Sequence, residues 1–170
     1  QKALEESEKR YRSLFEESID AIIIHNMGGK IIEANEQASR MLGYEHDTLL
    51  NMKIQDFHPP SASKDSMLGL RTISEIDSVL MQSKFEKADG TIIDVDISSH
   101  VVDKENGIIQ AIVQDVTERK RAEASLIAQS ELTDIVLDSL NDTFYLFDLK
   151  TGEGLRWNEA LEEMSGYDYN

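Results

Sequence analysis

Four histidines, scattered carboxylates and the absence of cysteine bound the chemistry open to this chain of 170 residues. His25, His46, His58 and His100 are the side chains able to ligate a transition metal or move a proton near neutral pH. None sits in the His-Glu-apolar-Arg setting of a phosphoacceptor helix. The missing thiol removes disulfides, thiolate metal sites and any cysteinyl nucleophile or photoadduct. No glycine-rich phosphate loop or nucleotide signature occurs. With no convergent nucleophile, base and metal set, no catalytic activity is expected of the segment itself.

Asp56, Asp65, Asp94 and Asp96 are the carboxylates to weigh as a cation site. Asp94 and Asp96 alternate onto one face of a strand, but no further oxygen ligands follow at the spacing of a binding loop, so a solvated face is expected. Asp115 lies four residues before Arg119 at the junction of a strand and a helix, where an ion pair can set the helix angle. Gln114, one residue earlier, is a possible inward-pointing hydrogen-bonding group, weighed against an exposed one.

The elements that position these residues are legible from periodicity. Residues 2–18 read as an amphipathic helix carrying Leu4, Tyr11, Leu14 and Phe15 at near-heptad spacing, a stripe that calls for a partner. Ala21 to His25 and Lys30 to Ala34 read as strands of a hairpin turning at Gly28-Gly29. Asn35 is placed to cap a helix whose Ala38, Met41 and Leu42 share a face, and Gly43 to end it. His46 to Met52 reads as a helical turn, and a Ser-capped helix is expected from Ser61 to Thr72 after Phe57-His58-Pro59-Pro60.

Three strands follow. Val79, Met81, Ser83 and Phe85 alternate on one face, and Ile93, Val95 and Ile97 do the same after the Asp89-Gly90 turn. Asn106-Gly107 leads into Ile108 to Val116. The expected architecture is α+β, with a five-stranded antiparallel sheet, short helices after the second strand, and long flanking helices at either end. Residues 118–139 form the outgoing helix, with Ala122, Leu126, Gln129, Thr133, Val136 and Leu140 in an interrupted heptad.

The chain then begins again. Asn35-Glu36 through Met41, Gly43 and Tyr44 reappear in register as Asn158-Glu159 through Met164, Gly166 and Tyr167. The interval is too long for a solenoid and marks tandem domains. The organisation expected is a helix over 1–18, a domain over 19–117, a linker over 118–139 and the start of a second domain over 140–170. A start at Gln1 and a stop partway through the second copy predict a piece of a longer protein, with the tail either poorly ordered or packed on a neighbouring chain.

A net charge of −16 argues against nucleic acid and anionic membrane surfaces as partners. No apolar run, Ala21 to Ile24 included, is long enough to span a bilayer. A cytoplasmic location is expected for this segment, within a parent that is soluble or membrane-anchored.

Residues 8–121 resemble a PAS domain of the S-box type. The resemblance rests on Tyr11-Arg12-Ser13-Leu14-Phe15, Ile31-Ile32-Glu33-Ala34-Asn35 leading to Gly43-Tyr44, Phe57-His58-Pro59, Lys87-Ala88-Asp89-Gly90-Thr91, and Asp115-Val116-Thr117-Glu118-Arg119-Lys120. It implies a sensing or relay module of a prokaryotic signalling protein, commonly a histidine kinase, with a small-molecule hollow between sheet and helices. By the same resemblance, Asp115, Thr117 and Arg119 couple the sheet to the outgoing helix, and a kinase or other output domain lies in the parent chain. Phe57, Met67, Met81, Phe85, Ile97, Ile112 and Gln114 are the pocket candidates, weighed against plain core.

The cofactor stays unknown. Cysteine-adduct flavin is excluded, and haem is disfavoured because His58 lies in a loop before two prolines. Haem-binding relatives place the ligand in the following helix, where this chain has Lys64, Asp65, Ser66, Met67 and Leu68. The alternative function is a ligand-free homodimerisation module using Leu4, Tyr11, Leu14 and Phe15.

Overall fold

The computed structural model describes residues 2–166, apart from the side chains at positions 63, 65–67 and 74. Residues 1–118 and 119–170 form two compact units. Tyr167 of the second repeat lies outside the described residues.

The first unit opens with α1 (Lys2–Glu16), β1 (Ala21–Asn26) and β2 (Ile31–Ala34). Next come α2 (Glu36–Leu42), α3 (His46–Leu49), 3₁₀ turns at Ile54–Phe57 and Pro60–Ala62, and α4 (Ser63–Ile76). β3 (Ser78–Glu86), β4 (Ile92–Asp103) and β5 (Ile108–Asp115) complete an antiparallel sheet ordered β2-β1-β5-β4-β3. This is the expected α+β architecture.

Alternation decides which face of each strand is buried. Ala21, Ile23 and His25 of β1, Ile109, Ala111 and Val113 of β5, and Ile93, Val95, Ile97 and Ser99 of β4 point inward. Ala21, Ile23, Ile93, Val95, Ile97, Ala111 and Val113 cluster with Ala38, Leu42, Leu49 and Phe57 from the segment between β2 and β3, so the core lies on that one face of the sheet.

Caps fix the short helices. Asn35 has extended backbone and its Oδ1 accepts from the Ala38 amide, while Gly43 closes α2 in the left-handed region at φ 76°, where a Cβ is strained. The expected Ser61 cap is not where α4 begins. Pro59 and Pro60 first drive a 3₁₀ turn, in which the Ala62 amide donates to the Pro59 carbonyl at 2.8 Å, and α4 starts at Ser63 with Ala62 as its cap. It continues past Thr72 because Ile73 extends its buried face.

The N-terminal stripe is also revised. Phe15 is 8% exposed, stacks on Tyr11 at 5.7 Å and belongs to the domain interior. Leu4 and Leu14 remain 73% and 70% exposed.

The second unit contains α5 (Thr117–Asp138), whose first two residues belong to the first unit, the paired strands β6 (Tyr145–Phe147) and β7 (Gly154–Trp157), and α6 (Glu159–Ser165). No helix among the described residues is long and apolar enough to cross a membrane.

Candidate functional site

A cavity of about 40 Å³ lies between the inner face of the sheet and α4. β1 contributes Ile23 and His25, β5 Ile109, Ala111 and Val113, and β4 Ile97 and Ser99. Val79, Met81 and Phe85 of β3 and Gly69, Leu70 and Ile73 of α4 close it, with Ile54 and His58 at the remaining side. Two small residues make the room. Ala111 stands opposite Ile23 on one neighbouring strand and Ser99 on the other, and Gly69 brings α4 so near β3 that a Cβ there would lie 2.7 Å from the Met81 sulfur.

His25 is 3% exposed, and its Nδ1 donates to the Asn26 carbonyl at 2.8 Å. Burial lowers its pKa below the ordinary value of 6.5, opposed by that hydrogen bond, so the ring is neutral at neutral pH. A carbonyl only accepts, so Nδ1 carries the proton and Nε2 is the acceptor. His58 is held similarly, Nδ1 donating to the Ile54 carbonyl at 3.0 Å and the ring standing edge-on to Phe85 at 4.9 Å. Sequence reasoning passed over His25. The signal was its phase with Ala21 and Ile23, which puts an imidazole among inward-facing apolar groups.

Of the pocket candidates, Met81, Phe85 and Ile97 line the cavity. Phe57 is wholly buried beside it, its ring 5.9 Å from Phe85 and 6.0 Å from Tyr44. Met67 lies on α4 with its side chain outside the described residues. Ile112 and Gln114 do not enter. They share the outer face of β5, out of phase with Ile109, Ala111 and Val113, and Gln114 Nε2 donates to Asp20 Oδ1 at 3.0 Å. Asp94 and Asp96 also face outward, where Lys84 pairs with Asp94 at 3.0 Å and Gln82 donates to Asp96 at 2.9 Å across the strands.

The strand-to-helix corner is stitched to the sheet. Asp115 Oδ1 accepts from the Thr117 amide at 2.9 Å, satisfying a donor at the start of α5. Thr117 Oγ1 accepts from the Asp94 amide at 2.9 Å, and the Val116 amide donates to the Asp94 carbonyl at 2.9 Å. Val116 and Thr117 are buried, whereas Asp115 is exposed. Arg119 stands on the first turn of α5.

The entrance to the domain is held by one side chain. Asn35 Oδ1 accepts from the amides of Ile22 and Ala38, while Nδ2 donates to the carbonyls of Phe15 and Asp20, all within 2.9–3.0 Å. Glu16 adds a carboxylate that accepts from the Glu36 amide. Tyr11 donates to Glu33 at 3.2 Å, and burial together with the Glu33 charge raises its phenol pKa.

The second unit builds the same entrance around Asn158. Its Oδ1 accepts from the Phe144 amide, its Nδ2 donates to the carbonyls of Leu137 and Asp142, and Asp138 accepts from the Glu159 amide. Arg156 of β7 pairs with Asp134 of α5.

Comparison with known proteins agrees with this architecture. A family model described as PAS domain matches residues 19–118. Sporulation kinase E of Bacillus subtilis is 32% identical over 126 residues, covering 74% of this chain and 17% of that protein. The methyl sulfide methyltransferase-associated sensor of Methanosarcina acetivorans is 28% identical over 125 residues, covering 72% of this chain and 12% of that protein. The chain therefore spans less than a fifth of the length of these relatives. The crystal structure of the PAS domain of an HTR-like protein from Haloarcula marismortui superimposes with a TM-score of 0.60 at 27% identity, covering 67% of this chain and 95% of that one.

Proposed function

Because the chain belongs to the PAS domain family, we propose that it is a sensing and relay module of a longer signalling protein, with a small molecule taken into the cavity and the signal leaving through α5. The observation that carries this reading is the coincidence of two features in one sheet. An inner-face cavity touches β4 at Ile97 and Ser99, and the same strand holds the outgoing corner through Asp94. A ligand shifts such a system only by its differential affinity for two packings. Asp115, Thr117 and Arg119 are the residues assigned to the coupling. As part of the same proposal, the parent is a histidine kinase with phosphorelay output, a reading supported by the kinase name of one relative, and this segment is cytoplasmic.

Native mass spectrometry on the purified chain, paired with an absorption spectrum, tests the first half. Retained small-molecule mass supports the sensor, whereas a clean chain unresponsive to small ligands removes it. Asp115→Ala in the intact parent tests the second half, because unchanged signalling from a folded domain contradicts the coupling.

A second reading is a ligand-free dimerisation module, favoured by the exposure of Leu4 and Leu14 on α1. Phe15 and Tyr11 contribute less than their spacing promises, since both already have partners within the chain. A truncation starting at Asp20 that remains dimeric at low micromolar concentration contradicts it.

A further inference from the structure

The geometry points to a ligand class for the cavity: a neutral molecule of about two or three heavy atoms, with a small apolar body and one hydrogen-bond donor that is received by Nε2 of His25. This rests on the reading of the chain as a small-molecule sensor and makes that reading specific. Size is the first constraint. A cavity of about 40 Å³ has room for about three waters at the roughly 10–15 Å³ each requires, and lies far below the roughly 300 Å³ where drug-sized sites begin.

Charge is the second. None of the described lining residues bears a carboxylate, ammonium or guanidinium, and the walls are mostly Ile, Val, Met and Phe, so an ion entering the cavity would lose its hydration without a counter-charge. Polarity is the third. His25 is fixed by the Asn26 carbonyl in the tautomer that presents an acceptor, and its burial keeps the ring neutral. The Ser99 hydroxyl also lines the cavity, across Ala111, and can donate to or accept from the same guest. A short alcohol matches this set, its hydroxyl proton directed at an imidazole nitrogen and its carbons over Ala111.

The test follows the imidazole nitrogens of the ¹⁵N-labelled full chain by NMR during titration with ethanol, with xenon as an apolar probe of similar size in a parallel sample. The expected result is a saturable shift of the His25 Nε2 resonance with ethanol and about tenfold weaker ethanol binding in His25→Phe. Ala111→Val, which fills the floor and leaves His25 in place, should lose both guests and remain cooperative in thermal unfolding. It serves as the independent variant if His25→Phe does not fold. Xenon entry without a His25 response to ethanol overturns the ligand class and leaves the sensor reading standing. Equal ethanol binding by the wild type and a folded His25→Phe variant also overturns the class. Entry of neither probe overturns both.

Discussion

Asn35 and Asn158 occupy matching positions in the two copies, and each uses a single carboxamide to tie the end of the preceding helix to the start of its unit's sheet, at Ile22 of β1 in one and at Phe144 just before β6 in the other. A carboxamide is suited to this role because it offers acceptor and donor from one rigid plane. An aspartate in its place would keep the acceptor side and repel the carbonyls on the other.

Replacing Asn35 by Ala removes hydrogen bonds to four residues from a site with no exposure to solvent. The expected loss is about 3 kcal/mol, measured by urea denaturation of the full chain, because buried amides and carbonyls lose their partner. Asn158→Ala should leave the unfolding of residues 1–118 unchanged, which distinguishes a local clamp from a general effect.

His25 gives the first unit an acid sensitivity of defined sign. Its pKa is lowered in the folded state, so the unfolded chain binds the proton more readily. Its contribution is intact above the ordinary value of 6.5, falls away as the pH drops toward the lowered folded value, and is constant below that. Denaturation of the wild type and His25→Phe across this window should converge in slope above 6.5 and diverge below it, with the wild type losing more stability.

Gly69→Ala separates stability from cavity space. Alanine adds about 1 kcal/mol of helix preference, and crowding of the flexible Met81 sulfur costs a comparable amount, so the net change should stay within about 1 kcal/mol. Xenon uptake should nevertheless fall sharply, because the new methyl or the displaced sulfur takes up the cavity.

On α1, Phe15→Ala should cost about 3 kcal/mol of stability, as for other buried aromatic residues, whereas Leu14→Ser should cost about 0.5 kcal/mol or less. Sedimentation velocity of Leu14→Ser checks the dimerisation reading separately, and an unchanged self-association constant would count against it.

Much of this architecture is written locally in the chain. Asp89-Gly90 and Asn106-Gly107 announce their hairpins, and Asn35 and Gly43 bracket α2 as their chemistry requires. Met81, Phe85 and Ile97 could be placed at the hollow because alternation marks their strands plainly. Phase was harder on β5, where Ile108 and Ile112 make the outer face apolar enough to disguise it, so that Ile112 reads as a pocket candidate and Gln114 as either inward or exposed. The burial of Phe15 depends on the carbonyl that Asn35 captures twenty residues later, and heptad spacing carries no information about such a tertiary contact. Cavity volume is the least legible property, since it depends on Ala111 and Gly69 lining one space from elements distant in sequence.

The strand order β2-β1-β5-β4-β3 places the last strand of the sheet in its middle. On the ribosome, β1 and β2 emerge early, and the long edge of β1 has no mate until Ile108–Asp115 has been made. At about 5–20 residues per second, that edge waits roughly 5–20 s. The nascent domain therefore passes through a period in which Ala21–Asn26 is an open template for foreign strands. Substitutions that slow the arrival or weaken the pairing of β5 should reduce soluble yield more than they reduce the stability of protein already folded.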